Sequence, residues 1–68
     1  MTLGQRISLY RKKLNISQEE LGARLGVSRQ AVSKWGSGAS DPSTSNLLAL
    51  AKLYGVSAED LLREAAGE

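Results

Sequence analysis

The acidic side chains are the first candidates for chemistry, because the 68-residue sequence contains neither His nor Cys. Histidine is the commonest general base and transition-metal ligand, and cysteine supplies thiolates and disulfides. The adjacent acids Glu19–Glu20 and Glu59–Asp60 follow a serine by two and three residues, which is typical of a solvated first helical turn. We therefore predict that the chain is not an enzyme and binds no metal ion or cofactor.

The basic side chains are concentrated in the first part of the sequence. Residues 1–40 carry seven Lys and Arg and two acids, a net charge of +5, whereas residues 41–68 carry two Lys and Arg and five acids, a net charge of −3. Such asymmetry suits a protein that presents one end to a polyanion such as nucleic acid. A basic face that is only solvated gives the same pattern, so charge leaves both interpretations open.

The chain carries no signal for a membrane or for export. No apolar run reaches the roughly 18 residues of a membrane span, and the first fifteen residues lack the apolar centre of a signal peptide. These features predict a cytoplasmic protein with no membrane partner.

Helix start and stop signals alternate along the chain. Hydroxyl side chains that can cap a helix N-terminus stand at Thr2, Ser17, Ser28, Ser43 and Ser57. Residues suited to the left-handed conformation that ends a helix stand at Asn15, Gly26, Gly38 and Gly55. The signals predict five helices, near residues 3–14, 18–25, 29–36, 44–54 and 58–65.

Each predicted helix has one apolar face with helical spacing. The faces consist of Leu3, Ile7, Tyr10 and Leu14; Leu21 and Leu25; Val32 and Trp35; Leu47, Leu50, Ala51 and Tyr54; and Leu61 with either Ala58 or Ala65. No strand-like alternation of β-branched residues occurs. The expected fold class is a compact all-α domain.

Residues 18–36, QEELGARLGVSRQAVSKWG, carry the most specific local pattern. A short helix would end at Gly26 and a second would begin after Ser28, which is the glycine-containing connection of a helix-turn-helix. Val32 and Trp35 would face inward, and Gly22 would stand where the two helices approach closely. The spacing alone also fits an αα-hairpin with a purely structural role.

The span from Leu3 to Leu62 resembles the phage repressor/Cro family of DNA-binding domains, also called the xenobiotic-response-element family. SQEELGARLGVSRQAVSKW is similar to its helix-turn-helix, and PSTSNLLALAKLYGVSAEDLL is similar to its fourth and fifth helices. The resemblance implies a single lambda-repressor-like domain of five helices over residues 1–68. It also implies sequence-specific binding to double-stranded DNA and transcriptional regulation, with repression as the expected sign.

The resemblance places the helix at 29–36 in the major groove of DNA. Its outward residues would contact base edges and nearby phosphates, and they are Ser28, Arg29, Gln30, Ser33 and Lys34. Glutamine can bond bidentately to adenine, and arginine or lysine can donate to guanine.

Phosphate contacts are implied at three places. Gln18 matches the family position at the start of the second helix, where an amide side chain and backbone N–H groups approach a phosphate. The end of the first helix and the loop before the fourth would add Arg11, Lys12, Lys13, Ser40 and Asn46. Gln18 could instead support the cap, and Lys12 and Lys13 could instead complement the helix dipole. Because the loop has no Lys or Arg and contains Asp41, we expect fewer ionic contacts and a shallower salt dependence of binding than for a more basic relative.

Family members usually bind as symmetric dimers on half-sites about one DNA turn apart. The resemblance therefore implies a homodimer on a palindromic operator, with Leu9, Leu53 and Leu62 as candidate interface residues. Scattered exposed leucines are also normal on monomers. The alternative function is an antitoxin-type or other protein-interaction module on the same fold. No small-molecule substrate is evident.

The stretch KWGSG, residues 34–38, departs from the family pattern. The family usually carries an acidic residue directly after the Trp position, and Gly36 stands there in this chain. That acid often pairs with an arginine near the end of the first helix, which corresponds to Arg11. Arg11 could turn to solvent or phosphate, but we predict that it binds the C-terminal carbonyls of the third helix. We also expect Gly36→Glu to stabilise the fold by pairing with Arg11.

Overall fold

A computed structural model of the chain describes residues 1–66, with side chains as far as Arg63. Its helices are α1 (Leu3–Lys13), α2 (Gln18–Leu25), α3 (Arg29–Ser37), α4 (Thr44–Tyr54) and α5 (Ala58–Ala66). The predicted all-α class and the five helices are confirmed, and residues 1–66 contain no strand. Three C-terminal ends differ by one residue from the prediction, since α1 ends at Lys13, α3 at Ser37 and α5 at Ala66.

Local signals set the beginning and end of these helices. At the N-terminus of α1, Oγ1 of Thr2 accepts the Gln5 N–H at 3.1 Å, and Oε1 of Gln5 accepts the Thr2 N–H at 2.9 Å. A serine hydroxyl accepts the amide three residues later at the other four starts, namely Ser17, Ser28, Ser43 and Ser57. Positive φ angles of 61°, 74°, 83° and 74° occur at Asn15, Gly26, Gly38 and Gly55.

The core lies at the centre of the five helices. Its buried apolar residues are Ile7, Ile16, Leu21, Val32, Trp35, Leu50, Ala51 and Leu61. Of the two alanines considered for the α5 face, Ala58 packs against this cluster, and the side chain of Ala65 lies outside the described residues. Helix α3 packs against α1 and α2, while α5 packs against α1 and α4. Helix α3 is therefore supported from two sides.

The sequence prediction is wrong at the end of α1. Leu14 was expected on the apolar face of this helix, but its side chain is 46% exposed. The left-handed turn at Asn15 redirects the chain, so that Ile16 enters the core instead. Ile16 lies in a connection, where helical periodicity gives no signal.

Two tyrosines join α1 to α4. The Tyr54 hydroxyl donates to the carbonyl of Ile7 at 3.0 Å, and the rings of Tyr10 and Tyr54 stack with their centroids 5.1 Å apart. Burial raises the pKa of Tyr54 to about 12, an effect that the nearby charge of Arg11 partly offsets.

No helix in residues 1–66 is long and apolar enough to cross a membrane.

Candidate nucleic-acid interface

Helix α3 has one buried face and one exposed polar face. Val32 and Trp35 are buried in the core, whereas Ser28, Arg29, Gln30, Ser33 and Lys34 are all exposed. Ala31 is half-buried against the core and does not belong to the polar face. Because a helix turns every 3.6 residues, anchoring two residues three positions apart fixes the opposite face as well. All five predicted base-reading residues are exposed. Four of them lie on the polar face of α3, and Ser28 is the N-cap residue at its start.

The turn between α2 and α3 has little freedom. Gly26 has φ 74°, and the Val27 amide donates to the carbonyl of Gly22 at 2.9 Å. A Cβ atom at Gly22 would lie 2.7 Å from the carbonyl oxygen of Val27, which is too close for non-bonded atoms. The missing side chain of Gly22 is what allows the turn to lie against α2.

The N-terminus of α2 presents backbone donors beside Gln18. The Glu20 amide is capped by Oγ of Ser17 at 3.0 Å, while the amides of Gln18 and Glu19 have no acceptor within the described residues. Arg24 pairs with the Glu20 carboxylate at 2.8 Å, which neutralises one of the two first-turn acids. Unpaired N–H groups and the helix dipole both favour an anion at such a position.

Three consecutive basic residues end α1, but the structure places them differently. Lys12 and Lys13 are exposed, and Nζ of Lys13 lies 5.7 Å from the centroid of the Tyr10 ring. Arg11 is half-buried, and its Nη1 donates to the carbonyl of Ile16 at 2.7 Å.

The prediction that Arg11 binds the C-terminal carbonyls of α3 is therefore wrong. Those carbonyls already accept local donors, since the Ala39 amide donates to Lys34 O at 2.9 Å and the Gly38 amide donates to Trp35 O at 3.2 Å. The carbonyl of Ile16 accepts no backbone N–H among the described residues. Arg11 donates to the carbonyl that lacks a backbone partner.

Gly36 borders a surface hollow between α1 and α3. The hollow has a volume of about 500 Å³ and is lined by Met1, Gln5, Ser8, Leu9, Lys12 and Gly36. A Cβ atom at Gly36 would lie 3.1 Å from Oγ of Ser8, so the atom that it would crowd belongs to a side-chain hydroxyl and not to the backbone. The dimer candidate Leu9 belongs to this hollow, while Leu53 packs against the core and Leu62 is 47% exposed.

Close backbone packing also requires a glycine at position 4, which the sequence analysis did not single out. Gly4 is buried where α1 crosses α3, and a Cβ atom there would collide with the carbonyl oxygen of Trp35. A glycine in the first turn of an amphipathic helix is the only sequence signal for this close approach.

The loop between α3 and α4 contributes polar groups without a positive charge. Ser40 is exposed, with its amide 3.3 Å from Lys34 O, and the half-buried Asn46 lies in the first turn of α4. The Asn46 amide donates to Oγ of Ser43 at 3.2 Å. Within the described residues, no group of three or more acids could hold a metal ion.

This arrangement matches a known family along most of the chain. A family model for the helix-turn-helix domain matches residues 7–61. The chain belongs to the Cro/C1-type helix-turn-helix family. Its resemblance to phage repressors, inferred from the sequence, is thereby confirmed.

Among relatives in this helix-turn-helix family, the chain is 44% identical over 61 residues to repressor protein C2 of Salmonella phage P22. It is 42% identical over 53 residues to the HTH-type transcriptional regulator DicA of Escherichia coli strain K12. The matches cover 90% and 78% of this chain but only 28% and 39% of the two relatives.

Solved structures of the same family superpose closely. The P22 c2 repressor in complex with a synthetic operator has a TM-score of 0.86 at 43% identity, with 93% of this chain and 96% of that chain covered. A chain of the SinR protein/SinI protein complex has a TM-score of 0.82 at 33% identity, with 93% of this chain and 62% of that chain covered.

Proposed function

We propose that this helix-turn-helix chain binds double-stranded DNA sequence-specifically and represses transcription, with α3 in the major groove. The observation that carries the proposal is the exposed polar face of α3, opposite the buried Val32 and Trp35. The similar P22 c2 repressor was solved in complex with operator DNA, which supports the same role here. A cytoplasmic location stays a prediction.

Residues of the polar face have different tasks in this proposal. Gln30 bonds bidentately to an adenine, and Arg29 or Lys34 donates to a guanine. Ser28 and Ser33 have short hydroxyl side chains that reach only nearby base edges or phosphates. A good bidentate pair contributes about 1–3 kcal/mol of discrimination against a wrong base.

Phosphate binding is assigned to residues on the elements around α3. The free amides of Gln18 and Glu19, with the Gln18 side chain, bind one phosphate at the N-terminus of α2. Lys12 and Lys13 are exposed and add ionic contacts to phosphates. Ser40 and Asn46 bind the DNA backbone through neutral polar groups. These contacts fix the position of α3 on the duplex without reading its sequence.

A homodimer on a palindromic operator is part of the proposal. One small domain reads few base pairs, so a symmetric pair on two half-sites gives more specificity. Leu62 is the exposed leucine among the three interface candidates, and Leu48, which is 57% exposed, is a further one that the structure adds.

The competing function is a protein-interaction module on the same fold, and the SinR protein was solved in a complex with the SinI protein. Titration of fluorescent random duplex DNA at several salt concentrations separates the two. A DNA-binding chain binds at low salt and loses affinity as salt rises. Absence of binding at low salt, or binding that ignores salt, contradicts the proposal.

Substitutions then separate sequence reading from phosphate binding. A cognate duplex is first selected from a random pool, where a palindrome with half-sites about one turn apart indicates a dimer. Gln30→Ala and Lys34→Ala are expected to weaken cognate binding by about tenfold and random-DNA binding much less. Gln18→Ala is the matched control, because it should weaken both by similar factors. Equal losses for all three variants on both duplexes would refute this division of roles.

A further inference from the structure

Helix α1 ends in a turn that holds Ile16 through its backbone N–H. Asn15 has φ 61° and its amide donates to Lys12 O at 3.0 Å, while the Ile16 amide donates to Arg11 O at 3.3 Å. These two bonds form the Schellman arrangement, which is commonly accompanied by an apolar contact between the residues at the positions of Ile16 and Arg11. In this chain the earlier of the two positions is occupied by a charged residue, Arg11.

The side chain of Arg11 holds the other polar group of the same residue. Its Nη1 donates to the Ile16 carbonyl at 2.7 Å in a half-buried position. Hydrogen bonds from a charged donor are shorter and stronger than neutral ones. Arg11 forms no ion pair within the described residues. Both backbone polar groups of Ile16 are therefore bonded to Arg11.

Ile16 directly precedes the N-terminus of α2. Its side chain is only 9% exposed, and the next residue, Ser17, caps the helix through the Glu20 amide. The free amides of Gln18 and Glu19 follow at once. Any shift of the Ile16 backbone would therefore move the group of donors assigned to a phosphate.

We propose that Arg11 is a positioning residue for the phosphate site at the N-terminus of α2. It acts through Ile16 and makes no phosphate contact of its own. This role rests on the proposed function, since it concerns the DNA phosphate that Gln18 binds. Groups that bind a ligand are held in position by neighbouring hydrogen bonds. When that support is lost, even a small displacement of these groups weakens binding.

Double-mutant binding measurements test the proposal with Arg11→Met, which keeps much of the apolar stem and removes the donor. Affinity for the cognate duplex is measured for Gln18→Ala in the native and in the Arg11→Met background. We expect Gln18→Ala to cost at least about threefold less in the Arg11→Met background, because the two residues act on one site. Gln30→Ala serves as the control and should cost the same factor in both backgrounds.

The salt dependence provides a second readout. A residue that contacts a phosphate directly contributes about 0.9 to the slope of log K against log salt concentration. Arg11→Met should change this slope by much less. Independent effects of Arg11→Met and Gln18→Ala, or a slope reduced by the full amount of a lost phosphate contact, would overturn the proposal.

Amide hydrogen exchange of the free protein keeps the two proposals distinguishable. Arg11→Met should speed exchange of the Ile16 and Glu20 amides by about tenfold or more relative to that of Leu50, because local opening becomes easier. If the native chain fails to bind DNA, the proposed function is wrong. Faster exchange in Arg11→Met would then show only that the hydrogen bond from Arg11 stabilises the backbone at Ile16. If the native chain binds DNA but exchange is unchanged, Arg11 does not hold the start of α2.

Discussion

Two helical glycines differ in what surrounds the missing side chain. At Gly22 the nearest obstacle is the backbone oxygen of Val27, whereas at Gly36 it is the hydroxyl of Ser8 beside an open hollow. Backbone atoms in a tight turn have no room to retreat, while a serine side chain can rotate. The same residue type is thus required by close packing at position 22 and only tolerated at position 36.

Gly22→Ala should therefore lower the free energy of unfolding by about 1–3 kcal/mol, despite the better helix propensity of alanine. The matched control Gly36→Ala should raise it by about 0.5–1 kcal/mol, since only Ser8 must move. Urea denaturation followed by circular dichroism measures both. Similar changes for the two variants would show that the turn after α2 can move.

Packing between elements depends on a polar contact as well as on apolar faces. The Tyr54 hydroxyl at the end of α4 bonds to a carbonyl in the middle of α1, 47 residues earlier. This carbonyl lies inside a helix, so the bond is an additional one for that oxygen. The tyrosine thus connects α4 to the middle of α1, whose C-terminal end holds Ile16.

Tyr54→Phe is expected to lower the free energy of unfolding by about 1 kcal/mol at pH 8, because one hydrogen bond is lost while the ring remains. The Tyr54 pKa is raised from 10.0 to about 12 in the folded chain. The folded state therefore keeps its proton longer than the unfolded state, and this stabilisation is complete below pH 10 and lost as the pH rises from about 10 to about 12. Urea denaturation across pH 8–11 should show the difference between native and variant chains narrowing above pH 10. A constant difference would contradict the assigned burial of the hydroxyl.

The uneven charge of the chain acts at the scale of the whole molecule. The basic half contains α1 to α3, which form the candidate interface, and the acidic half contains α4 and α5. Electrostatic attraction would thus turn the helix-turn-helix, and not α5, toward DNA. The loop after α3 adds no positive charge to this surface.

Two exposed lysines test this orientation. Lys12→Met should reduce the slope of log K against log salt concentration by about 0.9, because one phosphate contact is lost. The control Lys52→Met removes the same formal charge at an exposed position on α4, and the slope should stay unchanged. If both variants reduce the slope alike, attraction by net charge explains binding better than a defined interface.

Much of this fold could be predicted because its signals are local. A serine cap acts on the amide three residues later, and an apolar face repeats every three or four residues, so the sequence around each helix was sufficient to indicate it. For the same reason the polar face of α3 was predictable once Val32 and Trp35 were placed inside. The predicted DNA contacts of this face stay predictions that the experiments above address.

The sequence by itself thus determined five helices, their caps, and a helix-turn-helix with its outward polar residues. Only the tertiary structure decided that Ile16 and not Leu14 enters the core, that Gly4 meets the carbonyl of Trp35, and that Arg11 binds Ile16. These outcomes depend on which backbone groups remain unsatisfied or closely approached after the helices pack. The family pattern suggested an acidic partner for Arg11, but Gly36 stands in that place, and Arg11 donates instead to the carbonyl of Ile16 in the turn after α1.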